Sequence, residues 1–426
     1  MPYQLTTEQQ KIIDTISDKD AASLIKVSAV AGSSKSFTAN KASEAMGKGP
    51  QLYIVFSKAM QQEAKAALSS NVDVKTVHGL AYSVVVGKNI RLEGSSNKKR
   101  SLIFLKAKDL TLVKDWTIKY EVLEAIDAFF ASAALTPEAF LKKYDPDIAT
   151  YAKAYISRMF DGTIGITHSG YLKYYHLLLA AGKVPNQPTY DLAIVDEVQD
   201  LAPVALEVFK LQKTHKYLML GDPYQSIMGS FTYSVNAFKE LQGVGTLLPL
   251  SKSFRVSAEI APLVESFCHD YIDPDMKFTG MDYDKEDLKT HMYISKTNSV
   301  MVGQMINLVQ DGTPFSSARD PMRIFELSLI LASLKRDKKV YSAQYKFIER
   351  DLVTYYASPA GEAQYGTPLK FILALHSEDE EIMAAVSLIA KYGSSAIYEA
   401  AEKAQGYYKD GNKHNTWLAT AHSSKG

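Results

Sequence analysis

Residues 23–36 read SLIKVSAVAGSSKS. The apolar start suits a buried strand. The small residues after it suit a tight turn, and the segment beyond Lys35 can be helical. A strand that turns directly into a helix presents unpaired backbone N–H groups where anionic oxygens can meet them. In such a loop Lys35 adds a point charge at the β/γ-phosphates, and the Ser36 hydroxyl can ligate Mg²⁺. The usual spelling has glycine where this chain has Ser34. Alone, the stretch is equally well explained as an ordinary serine-rich turn.

A second stretch, LAIVDEVQD at 192–200, ends an apolar run on two adjacent acids, Asp196 and Glu197. Ligands of open α/β sheets bind at the carboxyl ends of strands. There Asp196 can hold a Mg²⁺ shell while Glu197 orients and deprotonates an attacking water. Adjacent acids often just solvate a strand end, but two such motifs, each after its own buried-type strand, make that reading the weaker one. Four apolar runs, 23–30, 51–56, 190–197 and 217–222, are continuous rather than alternating. That pattern predicts strands covered on both faces, as in a parallel α/β sheet. Thr7 followed by Gln10 has capping-box spacing and predicts a helix start there.

The 426 residues suffice for several domains, and 46% hydrophobic content with 22% charged is ordinary for a globular chain. Lys+Arg 48 against Asp+Glu 47 gives a net charge of +1, so any basic groove must be local. A single cysteine, Cys268, excludes an intrachain disulfide and a cysteine-rich zinc site, and is what a reducing compartment would favour. No apolar run approaches the ~18 residues of a membrane span, and the polar N-terminus has no signal core. The expectation is a cytoplasmic or nuclear protein, not a secreted one. Residues 91–164 and 320–405 carry helical spacing with few strand signals, whereas 246–254 and 291–299 give a second α/β signal.

These motifs, taken in order, resemble those of the UvrD/Rep-like superfamily 1 DNA helicases, most nearly the branch of the F-box DNA helicases. LTTEQ resembles the adenine-reading segment, with Gln9 as the reader. AVAGSSKS (29–36) resembles the first motif. YIVFSKAMQQEAK, VKTVHGLAY, THSGYLKYY and DEVQD follow, then GDPYQSIMGSF, LSKSFRVSAEI and ATAHSSKG. The resemblance implies two RecA-like P-loop lobes with parallel sheets, each carrying a mostly helical insertion. The first lobe would be 1–90 and 165–248 with insertion 91–164. The second would be 249–319 and 406–426 with insertion 320–405. It implies ATP hydrolysed between the lobes, with Mg²⁺, to drive 3′→5′ movement on single-stranded DNA or at a single-strand/duplex junction. Ala31, Gly32, Ser33, Ser34, Lys35 and Ser36 would bind nucleotide, with Ser36 and Asp196 at the metal. Gln225 would sense the γ-phosphate, Phe254 would stack on adenine, and Arg255 would reach the γ-phosphate. Phe56 and Phe231 would stack on bases, and Thr76, His78, Lys296, Asn298 and His422 would contact phosphates or bases.

Three departures bear on activity. Serine at 34 implies a loop that keeps its shape at reduced nucleotide affinity, or one that has lost function. Met228 and Thr232 stand near the places of an aromatic and an arginine that couple DNA to ATP. The sequence ends at Gly426 inside the fifth motif, before the family's ribose-contacting acid and its last arginine-bearing motif. Two readings therefore stand: an ATP-dependent helicase or translocase, and an ATPase-weak or inactive single-strand-binding or scaffold protein.

Overall fold

The computed structural model describes residues 4–92, 100–226, 236–282, 290–335, 345, 348, 351–352, 355–356 and 363–424. The chain packs as two compact units, Met1–Tyr283 and Asp284–Gly426.

The first unit is built on six parallel strands: β1 (Leu24–Ala29), β2 (Gln51–Val55), β3 (Val72–Thr76), β4 (Thr189–Val195), β5 (Lys213–Gly221) and β6 (Thr246–Leu250). Their order is β3-β2-β4-β5-β1-β6. Alternate residues of the central strands enter two different cores. Leu52, Ile54, Ala193 and Val195 pack on one face, and Tyr53, Val55, Leu192 and Ile194 on the other. A strand covered on both faces needs apolar side chains at every position, which is why these runs do not alternate. β1 differs at Lys26, which is buried and donates from Nζ to the Leu241 carbonyl at 2.5 Å.

One face is covered by α1 (Thr7–Ser17), α2 (Lys35–Ala45) and α3 (Lys58–Ala67), through residues such as Ile12, Ile16, Ala39, Ala42 and Met60. The other is covered by α4 (Val77–Tyr82), α8 (His168–Ala180) and α9 (Pro203–Lys210). Between α4 and α8 the chain makes the helices α5 (Trp116–Ala131), α6 (Pro137–Leu141) and α7 (Pro146–Asp161), so the 91–164 segment is helical over much of its length.

Two local expectations are corrected. The capping box of α1 is formed one residue earlier than the spacing suggested, by Thr6 and Gln9. The run 246–254 is not one new strand: Thr246–Leu250 completes the six-stranded sheet beside β1, and β7 (Lys252–Ser257) pairs in parallel with β8 (Thr279–Met281). Pro249 accounts for β6 lying at the sheet edge, since it has no N–H for a second neighbour.

In the second unit β9 (His291–Ser295), β10 (Ser316–Ser317) and β11 (Thr416–Thr420) form a parallel sheet in the order β10-β11-β9. Helices Asn298–Gln310, Pro321–Leu334 and Glu380–Lys409 surround a core that includes Met305, Phe325, Leu331, Ala385 and Ile397. The last of these helices is broken at Gly393, whose φ of 79° no helix accommodates. Among the described residues no helix is long and apolar enough to cross a membrane.

Candidate functional site

The loop between β1 and α2 carries two residues in the left-handed region, Gly32 at φ 72° and Ser34 at φ 59°. Gly32 is held closely: its carbonyl accepts from the Phe254 N–H at 2.8 Å, and a Cβ on it would lie 2.5 Å from the Arg255 Cβ. Only glycine fits that contact. Ser34 occupies the N-cap position of α2, yet its left-handed backbone leaves its side chain without a capping bond. By contrast Thr6, Ser57, Thr76 and Thr167 each cap their own helices. The first N–H groups of α2 thus have no side-chain cap from position 34, and a helix start of that kind favours anions. The neighbouring Ser33 hydroxyl is 2% exposed and has no hydrogen-bond partner among the described residues. Ala31 packs with Val30 against Ala261 and Phe278 and fixes the loop from beneath.

Across from the loop, β4 ends at the two acids. Asp196 is 2% exposed. Its Oδ2 accepts from the Ser36 hydroxyl at 3.0 Å and from the Tyr53 phenol at 3.3 Å, and its Oδ1 accepts from the Glu197 N–H at 2.8 Å. Burial, then the Glu197 charge, push the Asp196 carboxyl above its usual range, while Lys35 and the hydrogen bonds oppose them. The Tyr53 phenol is raised for the same reasons, burial first and then Asp196. Glu197 is itself left-handed at φ 53°, which turns its side chain toward the loop. Lys35 Nζ lies 3.3 Å from Glu197 Oε1, and Gln199 donates to Glu197 Oε2 at 2.5 Å.

Gln199 also links this carboxylate to the turn after β5. Its Oε1 accepts from the Asp222 N–H at 3.0 Å, its carbonyl accepts from the Ser226 hydroxyl at 3.2 Å, and Gln225 sits half-buried in that turn. A hard hydroxyl–carboxylate pair, Ser36 and Asp196, beside an orphaned buried hydroxyl and an uncapped helix start is a donor set suited to a divalent cation with a polyphosphate.

The structure thus brings together Ala31, Gly32, Ser33, Ser34, Lys35, Ser36, Asp196, Glu197, Phe254 and Arg255, with Gln225 joined through Gln199. Arg255 is exposed, with its backbone N–H on the Ser253 hydroxyl at 3.2 Å. Lys252 lies 5.6 Å over the Phe254 ring. Gln9 is fully buried: its Oε1 accepts from the Thr6 N–H at 2.9 Å and its Nε2 donates to Thr38 at 3.1 Å. Thr38 in turn donates to the Ser34 carbonyl at 3.0 Å, so Gln9 braces the loop through α2.

Phe56 and His78 line one cavity of about 410 Å³ beside the sheet edge, with Phe130, Asp127 and Asp200. Phe56 is 44% exposed, and the Thr76 hydroxyl is engaged in capping α4. Solvent reaches His78, yet the crowded mouth of the cavity, followed by His168, lowers its pKa. Lys296 and Asn298 follow β9 in the second unit, and His422 follows β11. These strands are adjacent and in register at Ser295 and Thr420. Phe231, Met228 and Thr232 lie outside the described residues.

Sequence reasoning passed over Tyr53, Thr38 and Gln199. Tyr53 carried a signal, a hydroxyl inside an otherwise buried strand run, because a buried phenol needs a partner.

A parallel α/β unit with a phosphate-compatible loop facing paired acids defines a class of protein, and comparison with known sequences narrows it. No protein-family model matches the chain. The chain is 28% identical over 290 residues to F-box DNA helicase 1 of Gallus gallus, covering 61% of this chain and 27% of that protein. It is 24% identical over 285 residues to F-box DNA helicase protein 1 of Schizosaccharomyces pombe, covering 60% of this chain and 32% of that protein. The chain therefore spans about a third or less of the length of these curated relatives.

Proposed function

We propose that this chain is the motor portion of a DNA helicase of the F-box DNA helicase kind, driving 3′→5′ movement on single-stranded DNA by ATP hydrolysis. One RecA-like lobe, carrying the nucleotide loop, is read within residues 1–248 and the other from residue 249 onward, so the second begins inside the first compact unit. The observation that carries the reading is the pair of contacts across the loop: Lys35 on Glu197 at 3.3 Å and Ser36 on Asp196 at 3.0 Å. The similarity to the two named helicases supports the substrate class.

In this reading Lys35 leaves Glu197 for the β/γ-phosphates when ATP binds, and Glu197 becomes free to accept a proton from the attacking water. Gln199 keeps the carboxylate aimed during that exchange and passes its position to the Gln225 turn. Ser36 and Asp196 would hold Mg²⁺, which would supply charge neutralisation to the polyphosphate. Ser33 gains a partner for its buried hydroxyl. Arg255 sits beside Gly32, placed to meet the far side of the polyphosphate, and Phe254 offers its ring to the base.

ATP turnover with and without single-stranded DNA tests the proposal. DNA should stimulate it, and both Lys35→Ala and Glu197→Gln should reduce kcat by roughly 10²-fold or more, as loss of a charge clamp or general base does. A second reading, a single-strand-binding protein that hydrolyses ATP weakly, is favoured by the strained Ser34. Equal turnover in wild type and both variants, with DNA binding retained, would establish it instead.

A further inference from the structure

Beyond Phe56 and His78, aromatic rings continue across the surface of the first unit. Tyr171, buried on α8, is the hub. His78 meets it edge-on at 5.8 Å, Tyr82 at 5.9 Å and His168 at 5.4 Å, and Phe104 lies 5.9 Å from His168. A contact between His168 Nδ1 and the Tyr171 hydroxyl at 3.1 Å fixes the hub. His78, Tyr82 and His168 are exposed, and Phe104 is 77% exposed.

Phe104 follows a stretch of backbone that is tethered. The segment before it is tied to the start of α8 by Ile103 N–H to the Ile166 carbonyl at 3.1 Å and Ile166 N–H to the Ser101 carbonyl at 2.8 Å. Gly165 allows that approach, since a Cβ there would sit 2.4 Å from Ile103. A phenylalanine this exposed, next to a tethered stretch of backbone, gains little from the core and can offer its face to a ligand. At the other end, His78 shares its cavity with Phe56. The acids Asp127 and Asp200 in that cavity repel phosphate, so it suits bases with the backbone outside, and exposed Lys106 and Lys108 follow Phe104.

We infer that the single-strand path runs from Phe56 and His78 over Tyr82 and His168 to Phe104, on the segment leading into the helical insertion. Its ligand is a run of unpaired nucleotides held by base stacking, which tolerates any sequence because every base has a π-face. The inference rests on the DNA-binding reading above and deepens it.

Fluorescence anisotropy with labelled oligo-dT of graded length provides the test. Phe104→Ala and His168→Ala should each weaken binding of the longer strands roughly 5- to 100-fold, the loss of one stacked base. The shortest strands that bind should be unaffected, and Phe104→Trp should bind the longer strands as wild type does. Unchanged melting temperatures of the variants would exclude misfolding as the cause. If wild type binds single strands but Phe104→Ala binds every length equally well, the extended path is wrong and the DNA reading stands. If wild type binds no single strand at any length, both fall.

Discussion

At the scale of single residues, Ser34 decides how well the loop works. A non-glycine residue in the left-handed region costs roughly 1–2 kcal/mol. Ser34 bears that cost at φ 59° and ψ 44° with no capping bond in return. Glycine there would relieve the strain but raise the entropy of the unfolded chain by roughly 0.4–1 kcal/mol. Ser34→Gly should therefore stabilise the first unit by roughly 0.5–1 kcal/mol, read from the urea midpoint. It should also tighten ATP binding by calorimetry, because glycine lets a loop backbone approach phosphates without a Cβ. A lower midpoint together with weaker ATP binding would mean that the serine makes a native contact worth more than its strain. The sequence displayed the substitution but not its conformation. Backbone φ at one position depends on the fold around it, which in this loop includes the close approach of Phe254 and Arg255 to Gly32, two residues earlier.

At the scale of elements, the central strands were legible because burial on both faces leaves a continuous apolar run, as in β2 and β4. β3 was not, since Val72-Asp-Val-Lys-Thr alternates as an edge strand does. The site was legible where chemistry imposes residue types, at Lys35, Ser36, Asp196 and Glu197. It was illegible where long-range packing chooses the partner, as in the contact of Tyr53 with Asp196, 143 residues apart. Helix α8 shows the same limit. It reads as an apolar helix, yet it buries Lys173, which donates to the carbonyls of Ser132 and Ala134 and so ties α8 to the chain beyond α5. His176, 3.4 Å from Lys173, is held near pKa 4 by burial first and then by Lys173 and Lys210. The folded pKa lies below the ordinary 6.5, so between the two the unfolded chain binds the extra proton. Stability from neutral His176 is therefore complete above about pH 6.5 and is lost as pH falls toward 4. His176→Gln should flatten the melting temperature over that window while leaving it little changed at pH 8. An equally steep acid slope in the variant would assign the effect to other groups.

At the scale of the whole molecule, the two units have separate cores. Phe209 belongs to that of the first and Phe325 to that of the second, and both are fully buried. Cooperativity follows shared packing, so a chain whose two units share no core need not melt in one step. Calorimetry should resolve two transitions. Removing a buried phenylalanine typically costs ~3–5 kcal/mol, a large share of the ~5–15 kcal/mol that stabilises a domain. Phe325→Ala should thus lower one transition by many degrees and leave the other in place, and Phe209→Ala should do the reverse. ATP with Mg²⁺ supplies an independent assignment. Ligand binding stabilises only the fold that contains the site, so nucleotide should raise the transition sensitive to Phe209→Ala. A single transition lowered by both variants would instead mean that the units unfold together. Nucleotide bound at the β1–α2 loop would then stabilise the second core as well as the first.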